Sequence, residues 1–130
     1  MIVDSSAIVA ILKREAGWND LARTLDSANN TSISASSYVE MSIVVDRWRN
    51  PNLSREFDEL LERFNISVEP FTLEQARIAR QAYRDYGRGS GHPANLNFGD
   101  CFSYALARAK REPILYKGDD FVHTDLRPAV

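Results

Sequence analysis

At 130 residues, 44 % hydrophobic and 26 % charged, with Cys101 as its single cysteine, the chain is expected to form one globular domain over residues 1–130, without a disulfide framework or a cysteine-based zinc site. No run approaches the about 20 apolar residues of a membrane span, and Met1-Ile2-Val3-Asp4 lacks the basic and apolar stretches of a secretory leader, so a cytoplasmic protein is expected. The net charge of −2 does not by itself favour nucleic-acid binding, although arginine outnumbers lysine and its planar fork suits phosphate as well as carboxylate partners.

In chain order, Met1-Ile2-Val3 reads as a short strand, Asp4-Ser5-Ser6 as its exit, and Ala7 to Leu12 as a buried helix. A second helix is expected from Trp18 to Ser27, with Asn29-Asn30 as the break before a strand from Thr31 to Ala35. Ser37-Tyr38-Val39-Glu40 has the capping-box spacing and places Glu40 in a helix's first turn, with Ile43, Val44 and Trp48 continuing one face to a stop at Asn50-Pro51. Ser54 to Phe64 is helical by its Phe57, Leu60, Leu61 and Phe64 spacing, and Ile66 to Phe71 is a strand running into a turn. Thr72 caps a helix to about Tyr86, followed by an irregular stretch from Gly87 to Asn97. Asn97 caps a last helix with Phe98, Phe102, Ala105 and Ala109 on one face, and Ile114-Leu115-Tyr116 is a final strand. Short strands alternating with helices call for an α/β fold in which a mainly parallel sheet is sandwiched by helices and ligands bind beyond the strands' carboxyl ends.

Four acids occupy comparable places: Asp4 after the first strand, Glu40 and Asp100 in first turns of helices, and Asp119 after the last strand. Clustered carboxylates can hold divalent ions that activate a water and neutralise a leaving oxygen in phosphodiester cleavage. Hard oxygen donors favour Mg²⁺ or Mn²⁺. Taken singly, Glu40 could complete a capping box, Asp100 could favour a helix dipole, and Asp4 could act as a cap.

Four segments carry a more specific signal: Ile2-Val3-Asp4-Ser5-Ser6-Ala7, Ser37-Tyr38-Val39-Glu40, Leu96-Asn97-Phe98-Gly99-Asp100-Cys101-Phe102-Ser103-Tyr104-Ala105, and Leu115-Tyr116-Lys117-Gly118-Asp119-Asp120-Phe121. In this order and spacing, over nearly the whole chain, they resemble VapC-type PIN domains. The resemblance implies a three-layer α/β/α sandwich and a metal-dependent ribonuclease whose acidic cluster is Asp4, Glu40, Asp100 and Asp119. Asp4 and Asp100 are its implied metal ligands, with a hydroxyl from Ser5 or Ser6 nearby. The adjacent pair Asp119 and Asp120 leaves the fourth position open, and Asp119 is preferred because it directly follows Gly118. The resemblance further implies a toxin that cuts tRNA or ribosomal RNA, a cognate VapB-type antitoxin that occludes the cleft, and a toxin homodimer. The acids alone also admit another carboxylate-metal phosphodiesterase, a DNA nuclease or a non-catalytic binding module.

Arg77, Arg80, Arg84 and Arg88 recur at helical spacing, as a solvated face or a track for RNA phosphates. His92 and His123 are expected at the surface, Cys101 in packing, and neither Trp18, Trp48 nor the tyrosines are assigned to RNA.

Overall fold

The computed structural model describes residues 1–130. Its frame is a four-stranded parallel sheet in the order β3-β2-β1-β4, made of β1 (Ile2–Val3), β2 (Thr31–Ser34), β3 (Ile66–Glu69) and β4 (Ile114–Leu115). Parallel neighbours need crossovers. They are α1 (Ser5–Leu12) and α2 (Trp18–Ser27), then α3 (Ala35–Arg47) and α4 (Pro51–Arg63), then α5 (Leu73–Tyr86) and α6 (Asp100–Lys110).

Successive strand residues face opposite sides of a sheet, so both faces of an apolar strand need cover. Val3, Ile33 and Leu115 pack with α1 to α4, and Ile2 and Ile114 pack with α5 and α6. The result is the expected α/β/α sandwich.

From β1 the chain adds β2 and β3 outward on one side, then returns to place β4 on the other. The topological switch point therefore lies between β1 and β4, and the crevice beyond the strand ends at such a point is where open parallel sheets receive ligands. Asp4 leaves β1 there, and Asp119 and Asp120 follow β4.

Several expected boundaries shift for local reasons. The chain leaves β2 directly into α3 at Ala35, with Ser34 as an N-cap whose side chain makes no capping bond. Ser37 therefore lies inside the helix and is buried, and Glu40 falls in the second turn, so the expected capping box is not formed. The core face of α3 is Met41 and Val45, and Ile43 and Val44 are exposed. Asn50-Pro51 starts α4 as well as ending α3: the Asn50 side chain accepts from the N–H groups of Asn52 and Leu53, and Pro51 occupies the first turn.

The C-terminal segment adds something the periodicity did not suggest. Ile114 N–H donates to Arg127 O at 3.0 Å and Ala129 N–H donates to Ile114 O at 2.8 Å, which covers the free edge of β4. No helix is long and apolar enough to cross a membrane.

Candidate active site

Asp4 is the best-anchored acid in the molecule. Its extended backbone makes it the N-cap of α1, and its Oδ2 accepts from Ser6 N–H at 3.0 Å and from Ser6 Oγ at 2.6 Å. Its Oδ1 accepts from Ser103 Oγ at 2.6 Å across the fold. Ser6 Oγ in turn accepts from Lys117 N–H at 3.0 Å, and Ser103 Oγ lies 3.4 Å from Ser37 Oγ. Asp4 is only 3 % exposed, and a buried carboxylate needs such donors. It is a cap and also the centre of a network joining α1, α3, α6 and the loop after β4.

That network decides between the two candidate serines, since Ser6 holds Asp4 and Ser5 makes no side-chain hydrogen bond to it. It also brings in Ser103 and Ser37, which the sequence reading passed over. Ser103 sits three residues after Asp100, one turn along the same helix face, which is the signal that would have found it. Ser103→Ala leaves Asp4 Oδ1 buried without that donor. It should cost about 1–3 kcal/mol of stability, measured by urea denaturation, and an unchanged midpoint would show that the contact holds nothing.

Asp100 opens α6 and is 8 % exposed. Its Oδ2 accepts from Asn97 N–H at 2.9 Å, and Asn97 Oδ1 accepts from Asp100 N–H at 2.8 Å, a reciprocal pair that pins the carboxylate at the helix entrance. The N-cap of α6 is Gly99 rather than the expected Asn97, which lies two residues further out and accepts from the helix's first N–H. Gly99 explains the approach of the third acid. A Cβ there would lie 2.8 Å from Glu40 Cδ and closer still to both carboxylate oxygens, so the Glu40 side chain occupies the space that glycine leaves open. Gly99 has ordinary helical φ, and what it provides is room.

At the fourth position the charges distinguish the two adjacent aspartates. Asp120 is the residue whose charge is felt by Asp100 and which itself feels Asp4, whereas Asp119 bears on the Tyr116 hydroxyl and on Asp120. The cause is the turn. Gly118 adopts φ +98, which favours glycine, and Phe121, 2 % exposed, is anchored in the core beside Tyr116 with ring centroids 5.3 Å apart. Burial of that ring fixes the loop and, with it, the place of Asp120 immediately before the ring.

Asp100, Glu40 and Asp120 each have a raised proton affinity. Asp100 is pushed up to about 7, chiefly by burial, with Asp4, Asp120 and Glu40 adding to it and the Asn97 N–H opposing it. Glu40 is raised by burial and then by Asp4. Asp120 is raised by burial and by Asp4, with Arg88 opposing. This is uncompensated negative charge in a crevice, the condition that a bound cation relieves.

The donor chemistry fits a hard divalent ion, since every group is a carboxylate or hydroxyl oxygen. No three acid, histidine or cysteine side chains close into a cage around one point. An ion that takes one or two protein carboxylates and keeps several waters suits such an open set.

The remaining candidates fall outside this cluster. Arg77, Arg80 and Arg84 are exposed on α5, and Arg88 lies beyond the end of that helix. His123 is exposed, and His92 is half-buried against Tyr86, ring centroids 4.8 Å apart, with its Nδ1 accepting from Ala94 N–H. Cys101 is buried, and burial pushes its thiol up to about 11, so it is a packing residue rather than a nucleophile.

Comparison with known proteins identifies the family and the fold. Residues 1–126 match the PIN domain family. Ribonuclease VapC28 of Mycobacterium tuberculosis is 55 % identical over 130 residues, covering 100 % of this chain and 98 % of the relative. Among solved structures, VapC20 of Mycobacterium tuberculosis, described as a sarcin-ricin-loop-cleaving toxin, superposes with TM-score 0.73 at 20 % identity over 98 % of both chains. A toxin–antitoxin complex from Klebsiella pneumoniae gives TM-score 0.70 at 13 % identity, covering 95 % of this chain and 92 % of that one. At these identities the two structures show a shared fold.

Proposed function

Because the chain belongs to the VapC ribonucleases of the PIN-domain family, we propose that it is a Mg²⁺-dependent endoribonuclease acting as the toxin of a type II toxin–antitoxin pair in the cytoplasm and cutting tRNA or ribosomal RNA. The observation that carries this reading is the set of four acids at the switch point, with Asp100 pushed up to about 7 by burial and by its acidic neighbours. Mn²⁺ would suit the same donors.

Asp4 and Asp100 would hold the ion, since both are nearly buried and both are fixed by hydrogen bonds that leave little freedom to turn away. When bound, the ion lowers the pKa of a coordinated water and neutralises charge on the phosphate. Ser6 and Ser103 keep both Asp4 oxygens oriented. Glu40, close over Gly99, and Asp120, held by the Phe121 anchor, stand where a carboxylate can accept a proton from the attacking water or bind the ion through water. Their raised proton affinity suits the first task.

A VapB-type antitoxin as partner, which membership of the VapC ribonucleases supports, and a toxin homodimer complete the proposal. Brief expression of this chain alone, followed by sequencing of newly formed RNA ends, tests it. A discrete set of new tRNA or ribosomal RNA ends that is absent for the Asp4→Asn variant is expected. Intact RNA, or cleavage confined to DNA in a purified assay, would reject it.

The two adjacent aspartates make a separate prediction. Asp120→Asn should slow cleavage about 10- to 100-fold, the usual cost of losing a group that supports a metal site. Asp119→Asn should leave the rate within a few-fold of wild type. The opposite order in paired initial-rate measurements would return the fourth position to Asp119.

A further inference from the structure

We propose that Arg88 binds a backbone phosphate of the RNA at the mouth of the acidic crevice, and so positions the strand over the acids. This rests on the ribonuclease reading above. Sequence periodicity puts Arg88 in a stripe with Arg77, Arg80 and Arg84, but α5 ends at Tyr86 and the structure assigns Arg88 to a different place.

The turn out of α5 is built tightly. Gly87 N–H donates to Tyr83 O at 2.9 Å, and a Cβ at position 87 would lie 2.8 Å from the Tyr83 ring, so only glycine allows the chain to turn this close to the helix. Arg88 N–H then donates to Leu96 O at 3.0 Å, and Leu96 N–H donates to Tyr86 O at 2.9 Å, around the isolated bridge of Gly87 with Leu96. Leu96 is fully buried and directly precedes Asn97, the residue locked to Asp100. The Arg88 backbone is thus pinned to the segment that delivers Asp100.

The Arg88 side chain, by contrast, is exposed and forms no ion pair or hydrogen bond within the protein, unlike Arg14, Arg23, Arg55 and Arg108. Its charge acts on Asp120, and no cation acts on Asp100 or Glu40. A guanidinium on a fixed backbone, beside an acidic crevice and with its fork uncommitted, suits bidentate contact with non-bridging phosphate oxygens. It would supply locally the attraction that a chain of net charge −2 lacks overall.

The test measures binding and turnover separately. Affinity for a fluorescein-labelled hairpin RNA is measured against salt in an Asp4→Asn background, with and without Arg88→Ala, and cleavage kinetics of the same hairpin are compared for wild type, Arg88→Ala and Arg88→Lys. Arg88→Ala should raise KM on the order of tenfold, with a smaller effect on kcat. It should also flatten the salt dependence of binding by about one unit. The Mg²⁺ requirement and melting temperature should stay unchanged. Arg88→Lys should restore the salt slope and only part of the affinity. Unchanged KM and salt slope overturn the proposal. So does a shifted Mg²⁺ requirement at constant KM, which makes Arg88 a partner of Asp120 alone, and so does a rate loss matched by a fall in melting temperature. In those cases wild type still cleaves, so only the Arg88 assignment fails, whereas a wild-type protein that cleaves no RNA takes down the ribonuclease reading and this one together.

Discussion

Asp100→Asn should lower RNA cleavage on the order of a thousandfold, since the metal's contribution to a phosphodiester transition state is several kcal/mol and each 1.36 kcal/mol is tenfold in rate. It should also stabilise the metal-free protein near neutral and alkaline pH. Folding raises the Asp100 pKa to about 7. The folded state therefore holds a proton that the unfolded chain has released, and this group's contribution to stability is fully present only below the unfolded pKa of about 4. It is lost as pH rises through about 7. Asparagine keeps a carbonyl to accept the Asn97 N–H and carries no charge, so that loss disappears. A higher melting temperature together with lost activity marks a residue kept for chemistry. A variant as unstable as it is inactive would make Asp100 a structural acid.

Gly99→Ala should be the second severe substitution, although it adds one methyl group at an unstrained φ. The new Cβ would fall on the carboxylate end of the Glu40 side chain, which reaches from α3 to the start of α6 and must move to make room. If Glu40 were held rigidly in place, overpacking of this kind would cost about 1–3 kcal/mol. If Glu40 swings away instead, stability is spared and cleavage falls about 10- to 100-fold. Combining Gly99→Ala with Glu40→Ala separates the two contributions: the pair should regain stability lost by Gly99→Ala while staying slow. A fast Gly99→Ala enzyme of wild-type stability would show that Glu40 has no fixed place over Gly99.

Most of the frame was legible in the chain because it follows from local pattern. An apolar strand ending in an acid and leading into an apolar helix put Asp4 at the carboxyl end of β1, and the Asn97 to Asp100 spacing placed the second acid at a helix entrance. What stayed hidden depends on contacts made across the fold. Ser103 and Asp4 are distant in sequence, and no periodicity announces that one side chain will satisfy the other. The choice between Asp119 and Asp120 turns on where Phe121 is buried, which is a property of the assembled core. Arg88 was misplaced in a helical stripe because the helix ends one residue before Gly87, where a glycine permits a sharper turn than the spacing of arginines suggests. Glu40 reached its place without the capping box, since β2 runs into α3 with no loop between them.

The central claim, that these acids form a cation site, is tested most directly by calorimetric titration of the metal-free protein with Mg²⁺ at about pH 6 and about pH 8, in wild type and in Asp100→Asn. The ion must displace the proton that Asp100 holds below about 7, so wild type should bind more tightly at the higher pH and release more protons at the lower one. Asp100→Asn should bind far more weakly and lose that pH dependence. Equal Mg²⁺ binding by both proteins, with the same response to pH, would contradict the account.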